Sequence, residues 1–331
     1  MESIEIDGVQ IHLGTAVKLD MEWIGQPELL EQLLAAWAKI HADDLPLTPR
    51  ILGPPGVGKT TLAYAAAKRV NKNVYILQCT ADTRPEDLLI TPVLGSNQEI
   101  KYHASPLVTA MIKGAVCILD EGNRMPEKSW ASLAPLLDKR KYIESIIAGV
   151  KIKAHPDFRV CVTMNQDASV FEIPDYIGSR LQPKIHVPFP TKEEEMEVLS
   201  YNVPFSSKEI IEYVVDFLQK GHKNDETYSI RDGINILRYM LKLSKNETQP
   251  LPDEKIKEYF KTAAVKILDK SAIDYIEGRT PRKRIELPFG VQGNLIRLDR
   301  LGFLNQEDED DEFMDDDPVH QEQDDDFDDE F

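Results

Sequence analysis

The sequence predicts an α/β fold, with a parallel sheet flanked by helices and followed by a smaller region made only of helices. Up to about residue 187, short apolar runs alternate with helical stretches. These runs are continuously apolar, which is typical of parallel strands covered by helices on both faces. Pro188-Phe189-Pro190 then interrupts the alternation, and the chain beyond it shows helical periodicity.

Each predicted element follows from a local pattern. Residues 4–13 alternate apolar and polar side chains around Asp7-Gly8, a pair that suits the tight turn of a hairpin. The apolar spacing of residues 27–40 predicts a helix. The predicted strands are residues 50–52, 74–79, 116–119, 160–164 and 184–187, and the later predicted helices are residues 192–201, 207–220, 230–243 and 253–268.

The composition is that of an ordinary globular protein. Of 331 residues, 42% are apolar and 29% are charged, and the length is typical of two domains at about 150 residues each. No stretch approaches the roughly 18 apolar residues of a membrane span, and the first residues do not resemble a secretory signal. Three cysteines, Cys79, Cys117 and Cys161, are too few for a disulfide framework. We therefore expect reduced core cysteines in a cytoplasmic protein without membrane insertion.

The net charge of -18 is concentrated at one end of the chain. Residues 307–331 hold 16 of the 57 acidic side chains and no Lys or Arg, so the rest carries 41 acidic against 39 basic side chains. Self-repulsion predicts that this acidic segment is disordered in isolation. It is either a solubilising tail or a segment that docks on a basic, apolar groove. Such a groove could belong to a partner, or could be formed by the basic run at residues 279–284 of the same chain or a neighbouring one. The side chains suited to docking are Phe313, Met314, Phe327 and Phe331.

A glycine-rich loop follows the strand at residues 50–52. It fits the pattern G-x-x-x-x-G-K-[ST], and helix-forming residues come next, which is the context that a phosphate-binding loop requires. Its backbone N–H groups and the helix dipole are expected to hold phosphates, with Lys59 bridging the β- and γ-phosphates and Thr60 binding Mg²⁺. The predicted nucleotide-binding residues of the loop are Gly53, Pro54, Pro55, Gly56, Val57, Gly58, Lys59, Thr60 and Thr61.

Two carboxylates, Asp120 and Glu121, follow the strand at residues 116–119. Ligands of open α/β sheets bind at the carboxyl ends of the strands. We therefore expect Asp120 to join Thr60 in holding Mg²⁺, and Glu121 to orient and deprotonate the attacking water as a general base. The loop and the carboxylates together predict hydrolysis of a nucleoside triphosphate.

In their order and spacing, these motifs resemble those of AAA+ ATPases, and most of all the MoxR-like group, which is related to the dynein-type and McrB-type modules. The resemblance covers about residues 20–270 and implies that the nucleotide is ATP. Ile24-Gly25-Gln26 resembles the segment that lines the adenine pocket in these proteins, so the resemblance implies nucleotide contacts for Ile24 and Gly25.

Three downstream residues acquire roles through the same resemblance. Asn165, at the end of the strand 160–164, resembles sensor 1 and would help to position the lytic water. Arg180 lies in a segment that resembles the one bearing the arginine finger, and Arg231 resembles sensor 2 at the start of a lid helix. Gly122 and Ser179 depart from the usual pattern, and we expect Gly122 to loosen the start of the helix that follows it.

Two inserted hairpins favour the MoxR-like group among the AAA+ ATPases that the chain resembles. Residues 91–100 read as a hairpin in the place of the helix-2 insert, and residues 141–153 match the pre-sensor-1 hairpin. In such ATPases these inserts face the pore of the ring or its client. The alternative is that both are surface hairpins without a client role.

The resemblance also implies a domain organisation. Residues 1–190 would form the AAA+ core with the hairpins, residues 191–278 a helical lid, residues 279–305 a basic and mixed extension, and residues 306–331 the acidic tail. The implied assembly is a homo-hexameric ring that remodels or activates a protein client, for which the resemblance suggests a von Willebrand A domain protein.

Two other functions compete with this one. A nucleic-acid-dependent motor of the McrB or helicase type is disfavoured, because the body is nearly neutral and the acidic tail repels phosphates. Its best support is the basic run at residues 279–284. A nucleotide-gated scaffold is disfavoured by the presence of Glu121, Asn165 and Arg180.

Overall fold

The computed structural model describes residues 2–95, 98–166, 171–224, 226–247, 251–270 and 272–277. All of these lie in the unit Met1–Pro281. The predicted basic run at residues 279–284 and the predicted acidic tail with its docking side chains lie outside the described residues.

The order of elements follows the predicted alternation of strands and helices. The strands are β1 (Ser3–Ile6), β2 (Val9–His12), β3 (Arg50–Gly53), β4 (Val74–Gln78), β5 (Ile90–Leu94), β6 (Ile100–Ala104), β7 (Val116–Asp120), β8 (Tyr142–Ser145), β9 (Val150–Lys153), β10 (Arg159–Asn165) and β11 (Lys184–His186). The helices are α1 (Pro27–Trp37), α2 (Lys59–Arg69), α3 (Pro85–Leu88), α4 (Pro106–Lys113), α5 (Glu127–Leu137), α6 (Asp175–Gly178), α7 (Lys192–Asn202), α8 (Lys208–His222), α9 (Ile230–Leu243), α10 (Asp253–Ile267) and α11 (Ala272–Ile276).

The predicted apolar runs form one parallel sheet in the order β11-β3-β10-β7-β4. All residues of β10 are buried, and so is all of β7 except its last residue, as expected for strands covered on both faces. The register places Asn165 beside Gly53, and Asp120 beside Gln78. The α/β fold class is therefore confirmed, and the carboxyl ends of the central strands meet at one edge.

Helices cover this sheet on two faces. One apolar cluster combines α1 and α2 with the sheet through Leu33, Trp37 and Leu62, which are almost completely buried. The other combines α4 and α5 through residues such as Met111 and Trp130. Neither α4 nor α5 is predicted from the sequence, and the predicted helix at residues 27–40 ends at Trp37.

The N-terminal hairpin is confirmed and has a partner that the sequence does not indicate. Asp7 and Gly8 both have positive φ angles, of 50° and 78°, as the type I′ turn requires. Its second strand, β2, pairs in parallel with β6, and β6 pairs antiparallel with β5, so the order is β1-β2-β6-β5. The hairpin predicted at residues 91–100 is thus anchored in a sheet with the N-terminal hairpin. The hairpin of β8 and β9 is also confirmed.

Helices α7 to α11 surround an apolar cluster of their own. The predicted helices at residues 192–201, 207–220, 230–243 and 253–268 correspond to α7, α8, α9 and α10 within two residues at each end. Side chains of Thr191, Ser207 and Ser229 cap the first three of these helices by accepting a backbone N–H bond.

Two other expectations concern the cysteines and the membrane. Cys79, Cys117 and Cys161 are free and buried, as predicted. Burial raises the pKa of the Cys79 thiol to about 12, which keeps it protonated. Among the described helices, none has both the length and the apolar character that crossing a membrane needs.

Candidate functional site

The glycine-rich loop joins β3 to α2 and is shaped by close approaches. Gly56 and Gly58 have φ angles of 77° and 96°, which favour glycine. A Cβ on Gly56 would collide with the hydroxyl of Ser229, at the start of α9. Gly58 is the N-cap of α2 and offers no capping side chain, so the first amide groups of the helix can bind an anion.

Lys59 folds back over this loop. Its side chain is buried with 6% of the residue exposed, and its Nζ donates to the carbonyl oxygens of Gly53 at 2.9 Å and Pro54 at 2.7 Å. A buried ammonium surrounded by backbone carbonyls lies where the loop is concave. This is the place where a phosphate group would meet both the amine and the N-terminus of α2.

Asp120 lies at the carboxyl end of β7 and accepts two hydroxyl bonds. Thr60 Oγ1 donates to Asp120 Oδ1 at 2.7 Å, and Thr163 Oγ1 donates to the same oxygen at 2.5 Å. The structure thus brings together the two residues predicted to hold Mg²⁺, and hard oxygen ligands of this type suit that ion. Thr163 was not predicted, although it lies two positions before Asn165 and therefore on the same face of β10.

Glu121 is held by three side chains. Asn165 Nδ2 donates to its Oε1 at 3.0 Å, Gln78 Nε2 donates to its Oε2 at 3.3 Å, and Arg124 Nε lies 2.7 Å from Oε2. Thr163 adds a fourth contact, because its hydroxyl accepts the backbone N–H of Glu121 at 3.0 Å. The ends of β4 and β10 and the turn after β7 therefore orient the Glu121 carboxylate next to Asp120.

The packing around Gly122 explains why this chain has glycine where the family usually has an apolar residue. It opens a short 3-10 turn, Gly122–Arg124, and a Cβ at this position would collide with Val162 Cγ1 and lie 3.4 Å from the Trp130 ring. The residue is buried, so its lack of a side chain permits close packing against β10 and α5. We expected glycine to loosen the following helix, whereas the structure indicates a steric requirement.

Replacing Gly122 by alanine is therefore expected to destabilise the protein. Overpacking a filled core costs about 1–3 kcal/mol, and here the obstacles are a branched side chain and an indole ring. Urea unfolding should show a lower midpoint at an unchanged m-value. Gly178→Ala is the matched control, because a Cβ there makes only an ordinary contact of 3.8 Å with Arg50, and it should leave the midpoint nearly unchanged. Unchanged stability of Gly122→Ala would contradict this account.

A cavity of about 310 Å³ lies between the loop and the helices α7 and α9. Ile24 and Arg231, both predicted, line it, and Gly25 lies next to it. Trp23 was missed by the sequence analysis. Its ring lies against the loop, 3.3 Å from the place of a Cβ on Gly58. Other lining residues that were not predicted are Val198, Tyr201, Asn202, Ile234, Asn235 and Arg238.

Arg180 is separate from the other predicted residues. Within the described chain, its side chain contacts Tyr176 and Asp138 rather than the loop or the carboxylates after β7. Its guanidinium donates to the carbonyl of Tyr176 and lies 3.7 Å from Asp138, while Arg140 lies 2.8 Å from the same carboxylate. Hydrogen bonds from Arg140, with a contribution from Arg180, lower the pKa of Asp138 to about 2. The single chain therefore brings Lys59, Thr60, Asp120, Glu121, Asn165 and Arg231 together but leaves Arg180 outside.

Part of this chain is similar in sequence to known proteins. Residues 50–181 match the family model of the AAA domain, dynein-related subfamily. An uncharacterised protein of Staphylococcus haemolyticus is 25% identical over 64% of this chain and 87% of its own. Protein CbbQ of Hydrogenophilus thermoluteolus is 25% identical over 58% of this chain and 72% of its own.

Solved structures show the same fold. RuvB of Thermotoga maritima, a Holliday junction branch migration motor, superposes with a TM-score of 0.51 at 16% identity, over 72% of this chain and 70% of that one. With the loop at residues 53–60 and the carboxylates after β7, residues 50–181 of this chain therefore resemble the AAA domain of the dynein-related subfamily, a domain of P-loop ATPases.

Proposed function

We propose that this chain hydrolyses ATP in a ring of identical subunits and uses the energy to remodel or activate a protein client. The observation that supports the hydrolytic step most directly is the arrangement of Glu121 and Asp120 at the end of β7. Glu121 is oriented by Asn165, Gln78 and Arg124, and Asp120 is bonded to Thr60 at the start of α2. These contacts at one sheet edge support the roles of base for Glu121, metal ligand for Asp120 and phosphate-binding helix for α2.

Thr60 and Asp120 would hold Mg²⁺, and the bound ion would neutralise negative charge on the phosphates. Within the described residues no group of three or more His, Cys, Asp or Glu side chains forms a metal cluster. The two oxygens therefore suit an ion that takes its other ligands from phosphates and water. Lys59 binds the β- and γ-phosphates, and Glu121 accepts the proton of the attacking water.

The cavity beside the loop is the proposed place of the adenine base. Trp23 and Ile24 supply apolar surface on one side, and Ile234 supplies it from α9. Arg231 lines the same cavity and lies close to the loop. A Cβ built on Gly56 would be 3.4 Å from the Cβ of Arg231. We assign Arg231 to phosphate charge on this basis.

A ring is proposed because Arg180 contacts Tyr176 and Asp138 rather than the phosphate loop or Glu121 of its own chain. Proteins of the AAA+ family commonly assemble as rings, in which an arginine can be supplied to the neighbouring site. The Arg180 side chain is 29% exposed and oriented by Tyr176 and Asp138, which suits a contact between subunits. Six subunits are the number that the family resemblance implies.

The two inserted hairpins support a protein client. Exposed apolar side chains lie at their tips and edges: Leu94 is 70% exposed, Ile100 is 63% exposed and Ile146 is 94% exposed. Apolar groups of this kind favour contact with a protein surface over contact with phosphates. A von Willebrand A domain protein is the client that the resemblance to MoxR-like ATPases suggests.

A nucleic-acid motor is the second candidate, and the fold shared with RuvB is the observation that favours it. The two candidates are separated by measuring ATPase turnover with single-stranded DNA and with a candidate von Willebrand A domain. Stimulation by DNA alone would favour the motor. Pull-down with a Glu121→Gln variant, expected to retain ATP and the client together, would identify the protein partner.

Replacing Lys59 by alanine tests the nucleotide site itself. The substitution removes the buried ammonium that bonds Gly53 and Pro54 and that we propose binds the phosphates. We therefore expect no measurable binding of mant-ATP, followed by its fluorescence, at micromolar nucleotide. Lys68→Ala, which removes the same charge from the last turn of α2, is the matched control and should bind mant-ATP normally. Normal binding by Lys59→Ala would contradict the proposed site.

A further inference from the structure

Glu194 is the third residue of α7 and closes the capping box of that helix. Its backbone N–H donates to Thr191 Oγ1 at 3.3 Å, and Thr191 N–H donates back to Glu194 Oε2 at 2.9 Å. The carboxylate is therefore turned toward the beginning of the helix. Neither the motifs nor the family resemblance assigns a role to this residue.

The same carboxylate also binds the core. Gln26 N–H donates to Glu194 Oε1 at 3.1 Å, and Gln26 Nε2 donates to Oε2 at 3.2 Å. Although burial opposes ionisation, the hydrogen bonds from Thr191 and Gln26 lower the pKa of Glu194. One ionised side chain is thus shared between the first helix after the sheet and a segment that precedes α1.

The backbone on the core side is shaped for this contact. Gly25 and Gln26 have φ angles of 76° and 43°, and a Cβ on Gly25 would lie 2.9 Å from both Cγ and Oε1 of Glu194. A left-handed conformation at a non-glycine residue is unusual and needs support from its surroundings. The two bonds from Gln26 to Glu194 supply such support.

A continuous series of contacts leads from Gln26 to the nucleotide cavity. Trp23 Nε1 donates to the carbonyl oxygen of Gln26 at 3.3 Å, and the Trp23 ring packs against the loop at Gly58. On the other side, α7 contributes cavity residues such as Tyr201. It also packs on α9, because a Cβ on Gly233 would lie 3.4 Å from Leu199, and α9 carries Arg231.

Resting on the nucleotide site proposed above, we propose that Glu194 is a positioning residue that couples the bound nucleotide to the helical region. It ties the segment 23–26, which contacts the nucleotide, to α7. A nucleotide that orders Trp23 therefore also orders α7 and the packed α9 with Arg231. Without this bridge, the nucleotide gains contacts to the segment but not the correlated contacts to the helices.

Glu194→Gln tests this proposal. The variant keeps the shape but places an amide against the donors of Thr191 and Gln26, so one of the bridging bonds is lost and repulsion replaces it. We expect the Kd of mant-ADP to rise at least about tenfold, equivalent to about 1.4 kcal/mol. We also expect KM to increase and kcat to fall, because Arg231 is no longer held in position. Glu193→Gln is the control. It removes one negative charge from an exposed position in the same turn of α7, and its Kd should match that of the wild type.

A double-mutant cycle separates coupling from stability. Gln26→Ala removes the bond from Gln26 Nε2 and keeps the one from the backbone N–H, and combining it with Glu194→Gln should raise the Kd little further than Glu194→Gln alone. If Glu194→Gln only lowers the melting temperature, while the Kd and the ADP-induced rise in melting temperature stay unchanged, the proposal is overturned.

Two further outcomes are decisive. Should Glu194→Gln not fold, Gln26→Ala is measured alone, and an unchanged Kd for mant-ADP would overturn the proposal. Failure of the wild type to bind mant-ADP, or normal binding by Lys59→Ala, would instead contradict the proposed nucleotide site. The two failures are therefore distinguishable.

Discussion

Replacing Arg180 by alanine is expected to abolish the rise of ATP turnover per subunit with protein concentration, while ATP binding is retained. An arginine supplied by a neighbouring subunit is worth about 10³ to 10⁵ in rate, or roughly 4 to 7 kcal/mol. The structure supports this prediction, because the Arg180 side chain is partly exposed and bonds Tyr176 and Asp138 rather than the carboxylates of its own site.

The measurement is turnover against protein concentration, with the assembly state followed by light scattering in the presence of ATP. Arg140→Ala is a matched control, since Arg140 pairs with the same Asp138 and is exposed. This control should keep most of the concentration dependence. A wild type that stays monomeric with ATP and turns over independently of concentration would rule out a finger supplied in trans.

Glu121→Gln is expected to bind ATP and to hydrolyse it about 10² to 10⁴ times more slowly. The amide keeps the size of the side chain but cannot accept the proton of the attacking water. It also sets a new donor against those of Asn165 and Gln78, both of which point at the carboxylate.

The rate is measured in single turnover with excess enzyme, and binding is measured separately with mant-ATP. Glu127→Gln, at an exposed position in the first turn of α5, removes one acidic charge nearby and should hydrolyse ATP at the wild-type rate. Turnover of Glu121→Gln at the normal rate would show that another group is the base.

The parts of the molecule that local chemistry controls could be predicted from the sequence. The loop at residues 53–60 needs glycines at its turns and a Lys-Thr pair at a helix start, and both requirements are visible in the chain itself. The continuous apolar runs likewise predicted the parallel sheet, and the position of Asp120 and Glu121 after one of them predicted where these carboxylates would meet the loop.

Side chains that reach the site across the fold could not be predicted in the same way. Gln78 lies at the end of a neighbouring strand, and its contact with Glu121 depends on the register of β4 beside β7. Trp23 and Glu194 are 171 positions apart, and only the packing of α7 against the segment before α1 brings their surroundings together. A single sequence contains no signal for such pairs, because neither residue belongs to a periodic pattern.

The sequence by itself therefore predicted the chemistry that we propose for this protein: a phosphate loop, a carboxylate base and a sheet that presents both at one edge. Local conformational preference and hydrophobic burial decide these features, and both act between residues close along the chain. The tertiary structure alone decided the remaining features, which are the joint sheet of the N-terminal hairpin and β6, the steric need for Gly122, and the contact of Arg180 with Asp138. These depend on close packing between distant segments, where a fraction of an ångström determines which side chain fits.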